Sequence, residues 1–345
     1  MIKNTPCPKT SRRGFLATTA TALSGFHLST SKTRGAAPQV VGHGDFQYEV
    51  VAGWGQLDPE KVPVGNCHEM VEDGKGRLIL FQTDTRNNVI VYDKSGKLLD
   101  TWGTEYPGAH GLDIVAENGE EFLFLTDTKQ GRVFKTTLDG KVVMEIGRPD
   151  LPQYADPEAP FRPTNVMSAP DGTFYVGDGY GSSWVTQHAA DGELLNVFGG
   201  KGEKPESLDT PHGGIVDTRD PDNPTLMICS RGENALKRFT LAGVHLETIP
   251  IPGMRVCQLA MYGDYMVAVH LEGLISVVDK RNRVVSHPGG TEPEYGKDRI
   301  LAAPAKLEES SPFTHPHGVW IDEEESVYVP QWNSGKTYPI KLRRV

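Results

Sequence analysis

Through most of the chain, apolar and polar positions alternate in short runs, and each run is closed by a glycine-containing turn. Alternation with a period of two is the mark of a half-buried strand, and Asp-Gly or Ser-Gly between two such runs marks a hairpin. The pattern also repeats at long range. HGLDIVAENGEEFLFLTDTKQGRVFKTTLDGKVVMEIG, starting at His110, aligns with segments starting near His68, Asn165, His212, Gln258 and His317. Each segment contains an apolar strand, a turn such as Asp171-Gly172, a second apolar strand (Phe122 to Leu125, Phe174 to Val176), a polar turn, a third strand, another Gly turn and a fourth strand. Four antiparallel strands per unit of about 45 residues describe a β-propeller blade.

Six anchors predict six blades and an all-β fold. Two intervals are long, and they place insertions at Arg148 to Thr164 and at roughly Gly289 to His315, between the outer strand of one blade and the inner strand of the next. The last unit ends after its third strand, whereas YEVVAGWG, from Tyr48, reads as a fourth strand without its blade. Pairing the two would close the ring and remove both free sheet edges.

Composition adds little to this. The 345 residues include 38 glycines and 25 prolines, which suits many turns, and the net charge of −10 with interspersed signs argues against a nucleic-acid surface. The N-terminus is more specific. Ser-Arg-Arg-Gly-Phe-Leu from Ser11 is a twin-arginine pattern, followed by a mildly apolar stretch too short to span a bilayer. The expected organisation is therefore an export signal and linker over 1–39 and a six-bladed propeller over 40–345, delivered by the twin-arginine machinery to a periplasmic or extracellular site. No other segment is apolar enough to cross a membrane. Of four cysteines, Cys67, Cys229 and Cys257 lie in the propeller without C-x-x-C spacing. They read as buried thiols, or as one pair and one free thiol, rather than as a disulfide framework.

The candidate chemistry comes from the repeat. The first strand of each blade lines the central channel, so the anchors His68, His110, Asn165, His212, Gln258 and His317 are expected to form a polar ring at one mouth. His110, His212 and His317 fall on alternate blades and are each followed by Gly. Three imidazoles about 120° apart would converge on the axis and hold a zinc-type ion with one coordination position open. His68, outside that threefold set, is a candidate fourth ligand or general base. His315 is expected beside the site, in the loop entering the last blade, and His270 and Glu272 are placed within reach of it. His188, His245 and His287 are expected at the surface, and the Asp322–Glu325 run as a solvated turn.

These NHL-type repeats resemble the propeller of the peptidyl-α-hydroxyglycine α-amidating lyases over roughly residues 50–345. The resemblance implies a zinc ion held by His110, His212 and His317. It also implies a tyrosine at Tyr180 in VGDGYGSS, an arginine at Arg231 in CSRGEN and, on a weaker match, a second arginine at Arg86 in TDTRN. On that reading the ion polarises a substrate hydroxyl or carbonyl, Tyr180 is base or phenolate ligand, and the arginines orient an anionic or carbonyl group of a small-molecule, peptide or glycan substrate. The family's axial calcium uses an aspartate after the last zinc histidine; Gly318 stands there, which argues against calcium. Two alternatives stay open: a metal-dependent hydrolase or sugar-acting lyase on the same platform, and a non-catalytic binding scaffold.

Overall fold

A computed structural model describes residues 37–297, 301–332 and 339–345. The twin-arginine segment lies outside the described residues. The architecture is all-β, with six antiparallel sheets as the blades of a six-bladed propeller. Blade one runs from Cys67–Glu72 to Leu98–Trp102, blade two from Ala109–Glu117 to Val142–Ile146 and blade three from Asn165–Ser168 to Leu194–Gly199. Blade four runs from Pro211–Asp217 to His245–Pro250 and blade five from Val256–Tyr262 to Val284–Ser286. The strands of each follow in chain order from axis to rim.

Blade six is shared between the chain ends. Trp320–Ile321, Val327–Val329 and Ile340–Arg344 pair in order, and Phe46–Val51 adds antiparallel to the last of these in the register Tyr48↔Arg344 and Val50↔Leu342. The expected closure is thus present. A fifth strand, Val40–His43, pairs with Phe46–Val51 and extends the sheet outward, a feature the repeat does not announce. Arg344 secures the joint: its guanidinium lies 4.4 Å from the Phe46 ring centre and 5.5 Å from that of Tyr48, and bonds Glu325 at 3.2 Å.

The core lies between neighbouring blades, because each sheet is apolar on both faces. Val71, Ile79 and Phe81 of blade one pack against Leu112, Leu123 and Leu125 of blade two, and the same arrangement recurs between blades four and five. Cys67, Cys229 and Cys257 are free and buried in these layers. Among the described residues no helix is long and apolar enough to cross a membrane.

Candidate metal centre

The inner strands do not run evenly to the mouth. In blades one, two, four and five the ladder between first and second strand shifts register at Cys67/Glu69, Ala109/Leu112, Pro211/Gly214 and Val256/Gln258. A bulge redirects a side chain, and here it falls at His68, at His110, at His212 and at Cys257. By this register the residues at the ring position are His68, His110, Thr164, His212, Cys257 and His317. The sequence anchors Asn165 and Gln258 therefore lie one residue past the ring, a correction to the expected set.

Those two residues form a second layer with Glu69, also from an odd-numbered blade. The Gln258 amide donates to Glu69 Oε1 at 2.9 Å and to Asn165 Oδ1 at 3.2 Å, and its carbonyl accepts from Gly214 N at 2.8 Å. The even-numbered blades carry Gly111, Gly213 and Gly318 at the matching position. A methyl group there would stand 2.5, 2.1 and 2.2 Å from the carbonyl oxygens of Thr164, Cys257 and His68 respectively. The His-Gly pairs are thus a packing requirement, since only a bare Cα lets the neighbouring blade approach this closely. The same crowding at Gly318 leaves no room for an aspartate.

The close approach also fixes the imidazoles. His110 Nδ1 donates to Thr164 O at 2.8 Å, His212 Nδ1 to Cys257 O at 2.9 Å and His317 Nδ1 to His68 O at 3.2 Å. Carbonyls only accept, so each ring carries its proton on Nδ1 and presents the Nε2 lone pair to the axis. The three ring centres stand 4.7 to 4.8 Å apart, and His68 lies 4.6 Å from His110 and 4.4 Å from His317. All four histidines are buried. Burial pushes His110 down to about 3 and holds His68, His212 and His317 well below the usual imidazole range. All four are therefore neutral, as ligands must be.

The donors fit a borderline ion. His317 Nε2 and His68 Nδ1 are buried with no hydrogen-bond partner among the described residues. Two groups have ligand atoms within 4.8 Å of one another, His68–His110–His317 and His212–Cys257–His317. His317 belongs to both. The tightest clusters thus draw His68 and Cys257 into the ring instead of isolating the threefold set. Neutral imidazoles with a thiol suit zinc or a similar divalent transition metal.

Tyr180 caps the ring. Its hydroxyl lies 3.2 Å from His110 Nε2 and 2.9 Å from His212 Nε2, and it accepts from Arg231 Nη1 at 3.2 Å. Burial raises the phenol, and the Arg231 charge opposes this. The loop is held by Asp178, which sequence reasoning passed over within VGDGYGSS. One carboxylate oxygen accepts from Arg162 N, at 2.6 Å; the other accepts from Ser182 N at 2.7 Å and Tyr154 Oη at 2.8 Å. Tyr154 and Arg162 belong to the first long insertion, so that insertion positions the tyrosine. Burial pushes Asp178 up to about 6 despite these donors.

Other residues singled out lie elsewhere. Arg86 is exposed and paired with Asp84 at 2.6 Å on its own turn; the structure does not bring it to the ring. His315 donates to Leu271 O at 2.8 Å, and Glu272 pairs with Arg255 at 2.8 Å. His270 shares a buried chain with Ser276 and His287, at 2.8 and 2.9 Å. His188 is stacked on Phe174 with ring centres 5.2 Å apart and His245 is half-buried, so His188 and His287 are interior residues rather than surface ones. Both His188 nitrogens find internal partners, the Gly192 carbonyl and the Thr186 hydroxyl, which makes burial tolerable, whereas among the described residues His287 is bonded only through Nδ1 and its Nε2 has no partner.

No family model matches the chain. It is 27% identical over 212 residues to peptidyl-alpha-hydroxyglycine alpha-amidating lyase 2 of Drosophila melanogaster, covering 56% of this chain and 48% of that protein. To lyase 1 of the same organism it is 30% identical over 109 residues, covering 30% and 19%. The chain thus spans about half the length of the first of these relatives and less of the second. A Xanthomonas campestris gluconolactonase has the same fold, with a TM-score of 0.60 at 13% identity over 89% of this chain and 95% of its own. The chain is a six-bladed propeller distantly related to the amidating lyases.

Proposed function

We propose that the protein is a metal-dependent lyase that cleaves the C–N bond of an α-hydroxylated amide. The carrying observation is the Tyr180 hydroxyl, held between His110 and His212 Nε2 and beside Arg231. His110, His212 and His317 would hold the ion, with His68 as an additional donor. When bound, such an ion polarises a substrate hydroxyl and stabilises the alkoxide. Arg231 orients the substrate carboxylate. Tyr180, as the phenolate, takes the hydroxyl proton. The carbinol carbon becomes a carbonyl as the C–N bond breaks, its electron pair stays on nitrogen, and Tyr180 returns the proton there. An α-hydroxyglycine peptide would give an amide and glyoxylate.

The test is glyoxylate release from such a peptide by zinc-loaded protein, with His212→Ala as control. No release above that control would sink the lyase reading; opening of a sugar lactone instead would favour a hydrolase on the same donors. Export by the twin-arginine route to the periplasm or exterior belongs to the same proposal. Retention in the cytoplasm after Arg12→Lys and Arg13→Lys substitution is expected, and unchanged export would refute it.

A further inference from the structure

Beyond the second layer the channel continues as a separate cavity of about 270 Å³. Its floor is Glu69 and Gln258, so the layer stands between it and the histidines. The wall is largely apolar, with Met70, Met167, Met261 and Trp320 among its residues, but it also carries Asp113. Among the described residues no lysine, arginine or histidine lines it. Glu69 is 3% exposed, and among the described residues the Gln258 amide is the sole hydrogen-bond partner of its side chain, at Oε1. Among the described residues its other oxygen has no hydrogen-bond partner. Asp113 accepts from the backbone N–H groups of Ile114 and Ser168, both at 2.9 Å, and forms no ion pair among the described residues.

Two carboxylates at an apolar cavity, with amide donors but no cation, form an incomplete charge arrangement. Burial pushes the Asp113 carboxyl above its ordinary range. A ligand that brings a positive charge and an apolar body resolves both features. The mouth offers the Trp320 ring to such a charge and the methionines offer an adaptable wall.

We infer that this second mouth binds a small organic ammonium ion with an apolar body of about eight carbons, its charge set against Asp113 and Glu69. The ligand would lie on the far side of this layer from the histidines and takes no part in the reaction proposed there.

Calorimetric titration of the full chain with phenethylammonium, 2-phenylethanol and 3-phenylpropionate tests this. The ammonium should bind about thirtyfold or more tightly than the alcohol, and the carboxylate should not bind. Asp113→Asn and Glu69→Gln should each remove most of that preference, Met167→Trp should block binding by filling the cavity, and His212→Ala should leave it unchanged. Alcohol and ammonium binding within about threefold of each other would overturn the inference. So would full affinity in Asp113→Asn or Met167→Trp, or displacement of the ammonium by equimolar calcium, which would make the site one for a metal ion. Should a variant fail to fold, the three-ligand comparison on the unaltered protein decides alone.

Discussion

The even-numbered and odd-numbered blades share one strand plan and differ at two consecutive residues. Blades two, four and six carry His then Gly; blades one, three and five carry His68-Glu69, Thr164-Asn165 and Cys257-Gln258. In the even blades the first residue is the tautomer-fixed imidazole and the second is bare so that the neighbour can approach. In the odd blades the backbone of this pair fills the space left bare, its carbonyl fixing the imidazole, and the second residue adds its polar side chain to the layer beneath. A sixfold scaffold thereby builds a threefold site, and neither half of the pattern works without the other.

The largest expected effect comes from breaking the bare position. Gly213→Ala drives a methyl against the Cys257 carbonyl at 2.1 Å and Gln258 Cα at 3.0 Å, both backbone. It should cost about 3 kcal/mol and release the metal, whereas Asn165→Ala in the complementary layer should cost about 1 kcal/mol. Urea unfolding of both variants checks this, and equal costs would dissolve the distinction between the blades.

Next comes the donor hierarchy. His317→Ala, which removes the member common to both ligand groups, should lower zinc affinity more than a hundredfold, and His68→Ala about tenfold. Chelator competition measures both, and the reverse order would move the ion toward blade one.

Much of this was legible beforehand. The period, the blade count and the closing strand follow from alternation and turn chemistry, because those are local. His110, His212 and His317 are brought together by that period, while Tyr180 and Arg231 follow from the resemblance to the amidating lyases and lie beside them in the structure. The position of Gln258 was not legible, because a bulge adds a residue to the ladder without altering the apolar pattern on either side, and that of Asn165 was not, because the first strand of blade three pairs without the bulge that its neighbours carry. Arg86 matched a motif while its turn points to solvent, and Asp178 was overlooked because its role is to hold a loop folded around an insertion with no repeat to compare.

A smaller effect follows from the neutral ring. A histidine held at about 3 when folded and near 6.5 when unfolded contributes stability that is complete above pH 6.5 and is lost as pH falls toward 3. The metal-free protein should therefore lose about 1.4 kcal/mol per pH unit for each buried ring histidine below pH 6.5. Denaturant midpoints at pH 7.5 and 5.5 read this directly, and an unchanged midpoint would mean the imidazoles are solvated. The smallest effect belongs to Arg86→Ala, which should leave kcat/KM within about twofold; a larger loss would give that turn a part in substrate binding.

The joint in blade six has a consequence in time. Phe46–Val51 is synthesised before blades one to five, and its partner, Ile340–Arg344, after them. Blades one to five can pair within themselves as the chain grows, but the early strand must wait for all five with an unpaired edge. The ring is thus a latch that closes only once the strands of blade six have been made, and a product interrupted before them is left with an exposed strand for other molecules to pair with.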